Sequence, residues 1–274
     1  MVQWVEPKIF KIAETRIDRE GLTGFLKTLG ADEWMEKQPW FRAASPTEVE
    51  DSSALIEVAG RACYKSFGVG LNPNITKIRE DSKAYIENVL AKGDGSIFEH
   101  GQVSWAFVDV SRIFTHELVR HRAGVAISQE SLRYVRPKEL RMTMVPGSEL
   151  SNLKNLDEIT RALEAAEEEY LRLTEEHIRP EMKFDEKKAW TSALRRFLPD
   201  GMATNIVWSA NHRTLRWVLE MRTAPGAEAE MRYVFDLVGR ILKRDYPTLY
   251  GDFETRPHED GVGAQWVPRI RSKV

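Results

Sequence analysis

The sequence predicts an α+β fold in one domain, and three features predict it. Residues 157–178 and 227–244 space their apolar side chains at helical period. Val103, Trp105 and Phe107 alternate with Gln102, Ser104 and Ala106, the period-two pattern of a half-buried strand. Strand-like and helix-like segments do not alternate regularly, so a doubly wound parallel sheet is not expected. No internal repeat, low-complexity linker or composition shift marks a boundary, and residues 1–274 read as a single domain.

In chain order, residues 7–17 suit an early strand and residues 18–29 a short helix ended by Gly30. Residues 34–46, rich in aromatics and proline, suit a loop. Ser52 or Ser53 can cap a helix through Arg61. Asn74 or Thr76 can cap another over 78–91, with Ile78, Tyr85, Ile86 and Leu90 apolar, ended at Gly93-Asp94-Gly95. The strand through Trp105 ends near Ser111, which can cap a helix over 112–122. In 157–178, Ile159, Ala162, Leu163, Ala166, Tyr170 and Leu173 form one stripe, which leaves the acids facing solvent. Residues 190–197 continue helically to Pro199, 204–208 suit a short strand, and 211–222 suit a helix. The helix over 227–244 is stopped by Pro247, and residues 251–274 read as an irregular tail.

The 274 residues carry 40 Lys plus Arg against 42 Asp plus Glu, a net charge of −2, with 42% hydrophobic and 30% charged residues. That is an ordinary globular balance, and near-neutrality argues against a whole-surface nucleic-acid binder. No apolar run approaches the ~18 residues that would span a bilayer, and the N-terminal residues lack the basic and apolar regions of a signal peptide. The single cysteine, Cys63, can form neither an internal disulfide nor a CxxC site, so a reducing, cytoplasmic compartment is expected. Cys63 itself reads as a small buried hydrophobe.

The balance conceals local asymmetry. Residues 112–136 and 193–222 each carry five arginines, two acids and no lysine, while residues 151–177 carry eight acids and three bases. Arginine presents a planar fork of donors suited to bidentate phosphate or carboxylate contacts, so two lysine-free clusters suggest one anion site assembled from distant segments.

Several familiar chemistries fail on spacing. His116 and His121 stand at i and i+5, about 140° apart on a helix, and so do not share a metal face; no metal is expected. The chain lacks a GxGxxG strand-to-helix turn, a GxxxxGK[ST] loop and a GxSxG elbow. The informative run is Arg120-His121-Arg122, followed by the small residues 123–126 and then Ser128, Ser131 and Arg133. Three donor side chains in a row at a helix end can grip a polyanion such as a dinucleotide pyrophosphate, and Gly124 lets a flat ligand approach the backbone. The same residues also suit a solvated helix end and a polar loop.

Here the sequence resembles the flavin-dependent thymidylate synthase family. That family carries an Arg-His-Arg, a serine some residues on, then Arg-Tyr; this chain has Arg120-His121-Arg122 and Ser128-Gln129-Glu130-Ser131-Leu132-Arg133-Tyr134. Further blocks match in order: Gly60-Arg61-Ala62-Cys63-Tyr64, Ser96-Ile97-Phe98-Glu99-His100, Ser111-Arg112 with Thr115-His116-Glu117-Leu118, Leu194 to Pro199, Asn211 to Arg216, and Glu220-Met221-Arg222. The resemblance covers about residues 55–245 and implies a central mixed or antiparallel sheet flanked by long helices. Three positions depart from the pattern. Eight residues separate Arg122 from Ser131 where seven are expected, Asp94 stands where a histidine is common, and Trp217 replaces a smaller polar residue.

The resemblance implies reductive methylation of dUMP to dTMP, with 5,10-methylenetetrahydrofolate as carbon donor and NADPH-reduced FAD as hydride carrier. It places FAD on Ser96, Glu99, Arg120, His121, Arg122, Asn211 and Arg213, and dUMP on Glu117, Gln129, Ser131, Arg133, Arg195 and Arg222. Arg222 is expected to polarise the uracil ring and Ser131 to orient dUMP, since no base lies close in sequence to activate a serine nucleophile. Asn211 and Arg222 lie about 20° apart in helical angle and ~16 Å apart in rise, a span that brackets a flavin and a nucleotide. A homotetramer with shared active sites is implied, with no nucleic-acid or membrane partner. Another flavin- or nucleotide-dependent enzyme on the same fold, or an Arg-rich nucleic-acid module, are the alternatives.

Overall fold

Four strands from distant parts of the chain form the central sheet. The computed structural model describes residues 2–42, 50–68 and 78–270. The chain begins with β1 (Gln3–Val5), β2 (Lys8–Glu14), α1 (Arg19–Thr28), α2 (Asp32–Lys37), α3 (Pro39–Arg42), α4 (Asp51–Tyr64) and α5 (Ser82–Lys92). It continues through β3 (Gln102–Ser111), α6 (Arg112–Leu118), β4 (Val125–Gln129), β5 (Arg141–Thr143), α7 (Leu156–His177) and α8 (Phe184–Leu194). It ends with β6 (Ala203–Asn211), α9 (His212–Arg222), α10 (Ala229–Asp245), α11 (Pro247–Tyr250), β7 (Phe253–Pro257) and β8 (Ala264–Pro268). The sheet order is β2-β3-β6-β4, every neighbour antiparallel. Of the mixed or antiparallel alternatives, the central sheet is therefore antiparallel; the parallel pairing, β1 with β5, lies outside it.

One face of the sheet builds the core. Val103, Trp105 and Phe107 of β3 and Trp208 of β6 are fully buried. Phe107, Phe114, Trp208 and Phe235 of α10 pack with ring centroids 5.5–6.3 Å apart. Each such aromatic contributes about 2–3 kcal/mol by leaving water. The opposite face leaves Phe10, Ile12 and Val207 at 51%, 52% and 40% exposure. No helix among the described residues is long and apolar enough to cross a membrane.

The structure corrects several expectations. Residues 34–42, expected in a loop, form most of α2 and all of α3, because Trp34, Met35 and Trp40 join Leu26, Ala54, Val58 and Phe67 in a second buried cluster; residues 43–46 lie outside the described residues. Helix α4 starts at Asp51, before either expected serine cap, and Ser53 instead bonds Glu50. Asn74 and Thr76 lie outside the described residues; α5 starts at Ser82, where Asp81 accepts from the Ala84 N–H at 2.7 Å. Cys63, expected to be buried, is exposed on α4. The tail expected to be irregular folds as the antiparallel hairpin β7–β8, with Phe253 and Trp266 buried against α9 and α10.

Candidate active site

The site residues converge on the two ends of α9. At its N-terminus Asn211 caps the helix, its Oδ1 accepting from the Thr214 N–H at 2.9 Å. The Asn211 N–H donates to the Gly124 carbonyl at 3.1 Å, and the Thr214 hydroxyl donates to the Ala123 carbonyl at 2.7 Å. Gly124 has φ +67°, and a Cβ there would overlap the Asn211 amide, so this close approach needs glycine twice over. Arg213 pairs with Glu99 at 2.5 Å, which brings the Gly95–Glu99 3-10 turn to the same end.

At the other end, Arg222 sits in the last turn of α9. Its Nε donates to His121 Nε2 at 2.7 Å, one terminal nitrogen donates to Glu117 Oε2 at 2.6 Å, and the other donates to the Glu117 carbonyl at 3.0 Å. A helix end leaves its last carbonyls without intrahelical partners, and Arg222 takes one of α6's. A further correction concerns this end: α6 stops at Leu118, so Arg120-His121-Arg122 lies in the turn beyond it rather than on a helix to 122. The turn runs antiparallel along α9, with His121 against Arg222 and edge-on to Trp217 at 5.1 Å, and Gly124 against Asn211.

The electrostatics of His121 follow from this packing. It is 2% exposed and faces a guanidinium, so burial first and Arg222 second hold its pKa down at about 4. The ring is neutral near pH 7, and since Nε2 accepts from Arg222 the proton sits on Nδ1. That Nδ1 is buried with no hydrogen-bond partner among the described residues. Arg120 and Arg122 on either side are exposed.

The remaining predicted residues lie apart from these contacts. Gln129 on β4 donates to Thr115 Oγ1 at 3.1 Å. Ser131 begins a tight turn in which its Oγ accepts from the Arg133 N–H at 3.3 Å, and Arg133 is exposed. Arg195 stands in the 3-10 turn after α8, near enough that its charge, second to burial, lowers the pKa of Arg112. Ser96 is exposed, and Asp94 accepts from the Tyr64 hydroxyl at 3.3 Å. One arginine of the second basic cluster is not available to an anion: Arg216 is fully buried and bidentate to Asp252 at 2.8 and 2.7 Å.

Sequence reasoning missed β4, reading part of it as a Gly-containing loop. It is one of the sheet's two edge strands, with no buried residue, so it shows no strong apolar period, although Val125 and Ile127 did alternate. Also missed were the long-range partners of Arg222 and Arg216, for which a single sequence carries no signal.

The profile of the family described as "Thymidylate synthase complementing protein" matches residues 47–248. The flavin-dependent thymidylate synthase of Mycobacterium tuberculosis (strain ATCC 25618 / H37Rv) is 33% identical over 238 residues, covering 84% of this chain and 89% of the relative. That of Mycobacterium sp. (strain JLS) is 32% identical over 242 residues, covering 85% and 90%. Among solved structures, the UMP/dUMP methylase PolB from Streptomyces cacaoi, bound with 5-Br dUMP, superposes with a TM-score of 0.61 at 15% identity, covering 90% of this chain and 94% of that one. At that identity the likeness speaks for the fold.

Proposed function

The chain belongs to the thymidylate synthase complementing protein family, whose relatives are flavin-dependent thymidylate synthases, and from that premise we propose a residue-level account of how it methylates dUMP to dTMP. The enzyme is a flavin-dependent methyltransferase. We assign FAD to Ser96, Glu99, Arg120, His121, Arg122, Asn211 and Arg213. The residues present fit the group: an unpartnered buried His121 Nδ1–H, a glycine where a side chain would intrude, and two exposed arginines flanking them. When bound, the flavin supplies the hydride that completes the new methyl group.

The protein's own part is to bind and polarise. The observation that carries the proposal is the Glu117–Arg222–His121 constellation. A guanidinium has five N–H donors; three are engaged by Glu117 and His121, and one N–H on each terminal nitrogen has no partner among the described residues, held in place at little cost in reorganisation. These two donors face the uracil carbonyl and N3 side, where negative charge develops as C5 attacks its carbon donor. Glu117 fixes the direction of Arg222, and neutral His121 holds its Nε without opposing its charge. Arg133 and Arg195 take the dUMP phosphate, while Gln129 and Ser131 orient the nucleotide.

NADPH is the reductant and 5,10-methylenetetrahydrofolate the carbon donor in this proposal. A homotetramer with shared active sites accounts for two features: the apolar exposed sheet face at Phe10, Ile12 and Val207, and the placement of Arg133 and Arg195 away from the Arg222 contacts. The single cysteine supports a reducing, cytoplasmic setting. The test is turnover of purified, FAD-loaded protein with dUMP, methylenetetrahydrofolate and NADPH, with dTMP quantified by chromatography. The expected outcome is dTMP formation that requires all three and the flavin; a protein that gains no flavin spectrum from FAD, or forms dTMP equally well without it, overturns the proposal.

A further inference from the structure

The catalytic end of α9 is gripped by a segment beyond the family match, which stops at residue 248. Thr223, the residue after Arg222, is fully buried. Its carbonyl accepts from His258 Nε2 at 3.0 Å, and its hydroxyl accepts from the Trp266 N–H at 2.9 Å while donating to the Leu219 carbonyl at 2.7 Å. His258 follows β7 and Trp266 lies in β8, so both halves of the hairpin hold one residue. The hairpin is itself anchored. Trp266 Nε1 donates to Asp236 of α10 at 2.9 Å, and its ring packs where only glycine fits, at Gly239. Asp252 clamps Arg216 in the middle of α9, and Asp260, in the turn, pairs with Arg232 of α10.

From these contacts we infer that the β7–β8 hairpin, through His258 and Trp266, is a positioning device that fixes Arg222 for catalysis. The inference rests on the role assigned to Arg222 above. The guanidinium is held from one side by Glu117 and His121, whereas its backbone is held from the other by Thr223. The last turn of a helix otherwise frays, because its carbonyls lack intrahelical partners. The hairpin supplies one of the missing bonds, from His258 to the Thr223 carbonyl, and adds a second hold on the Thr223 hydroxyl, at the residue next to Arg222. A shift of about 1 Å in such a group costs on the order of 100-fold in rate even when it leaves binding intact.

His258 is half-buried and reached by one hydrogen bond from its ring, so its removal leaves the fold standing. The experiment compares FAD-loaded wild type, His258→Ala, His258→Gln and Arg222→Ala, reading kcat and KM for dUMP, flavin content and Tm. The expected result is a fall in kcat of about 10-fold or more in His258→Ala, with flavin content and Tm close to wild type. His258→Gln, whose amide can still donate to the Thr223 carbonyl, recovers most of the rate. His258→Ala turning over like wild type while Arg222→Ala is inactive overturns the positioning role alone. So does a loss that follows flavin content, or one that glutamine does not restore. Normal turnover in Arg222→Ala overturns the Arg222 assignment and the positioning role with it.

Discussion

His121 ties the site's chemistry to its stability. Folded, its pKa is held at about 4 by burial and by Arg222, and His212, wholly buried, is held at about 3 by burial and Arg216. A base whose folded pKa is depressed binds fewer protons folded than unfolded. Its contribution is therefore complete above the unfolded value near 6.5 and is lost as pH falls toward 4. For His121 that contribution is on the order of 3 kcal/mol. Glu230 runs the other way: burial raises its pKa to about 7 despite its bonds to Ser111, so its contribution is present at low pH and fades as pH rises through 7. Melting curves of flavin-free protein between pH 7 and 4.5 should therefore show Tm falling with acid, and His121→Gln should flatten that fall. Equal slopes in the two proteins contradict the buried, neutral ring. The motif singled out His121, but its environment was not legible there. Its partner Arg222 is 101 residues away, and only the fold brings the two together.

Legibility varied among the elements with how much of each one's pattern is local. Ser111 announced its helix because capping is decided within three residues, and it caps as expected, while Asn211, read as the first residue of a helix, is that helix's cap. Helices α7 and α10 carried long apolar stripes and matched their expected spans closely. The hairpin β7–β8 went unread because its stability is tertiary: Phe253 and Trp266 bury against helices earlier in the chain, and the Asp260-Gly261 pair that marks its turn sits inside a six-residue connection rather than a two-residue one. Arg216 was read as part of an anion site on composition alone, although its fate was set by Asp252. Asp252→Ala leaves that guanidinium buried without its carboxylate, a loss of about 3–5 kcal/mol. Thermal unfolding should drop by roughly 10 °C; a shift within 2 °C or so would show that the pair does not anchor the segment.

At the scale of the molecule, the sequence's near-neutral charge resolves into arginines with different work. Arg216 and Arg61 are fully buried and hold the fold together by pairing with Asp252 and Glu57. Arg222 is buried enough to be oriented, yet two of its N–H donors have no partner among the described residues, while Arg120, Arg122 and Arg133 reach solvent. The single cysteine is exposed on α4, outside the contacts that gather around Arg222. In the proposed mechanism thymidylate synthesis accordingly turns on a flavin and an oriented guanidinium rather than on a thiolate. The most direct test is dTMP formation by Arg222→Ala, with bound flavin quantified by its absorbance in the same preparation. The account predicts a flavin content near that of wild type with turnover reduced on the order of 100-fold or more. Turnover near the wild-type rate in a fully flavin-loaded Arg222→Ala enzyme would contradict it.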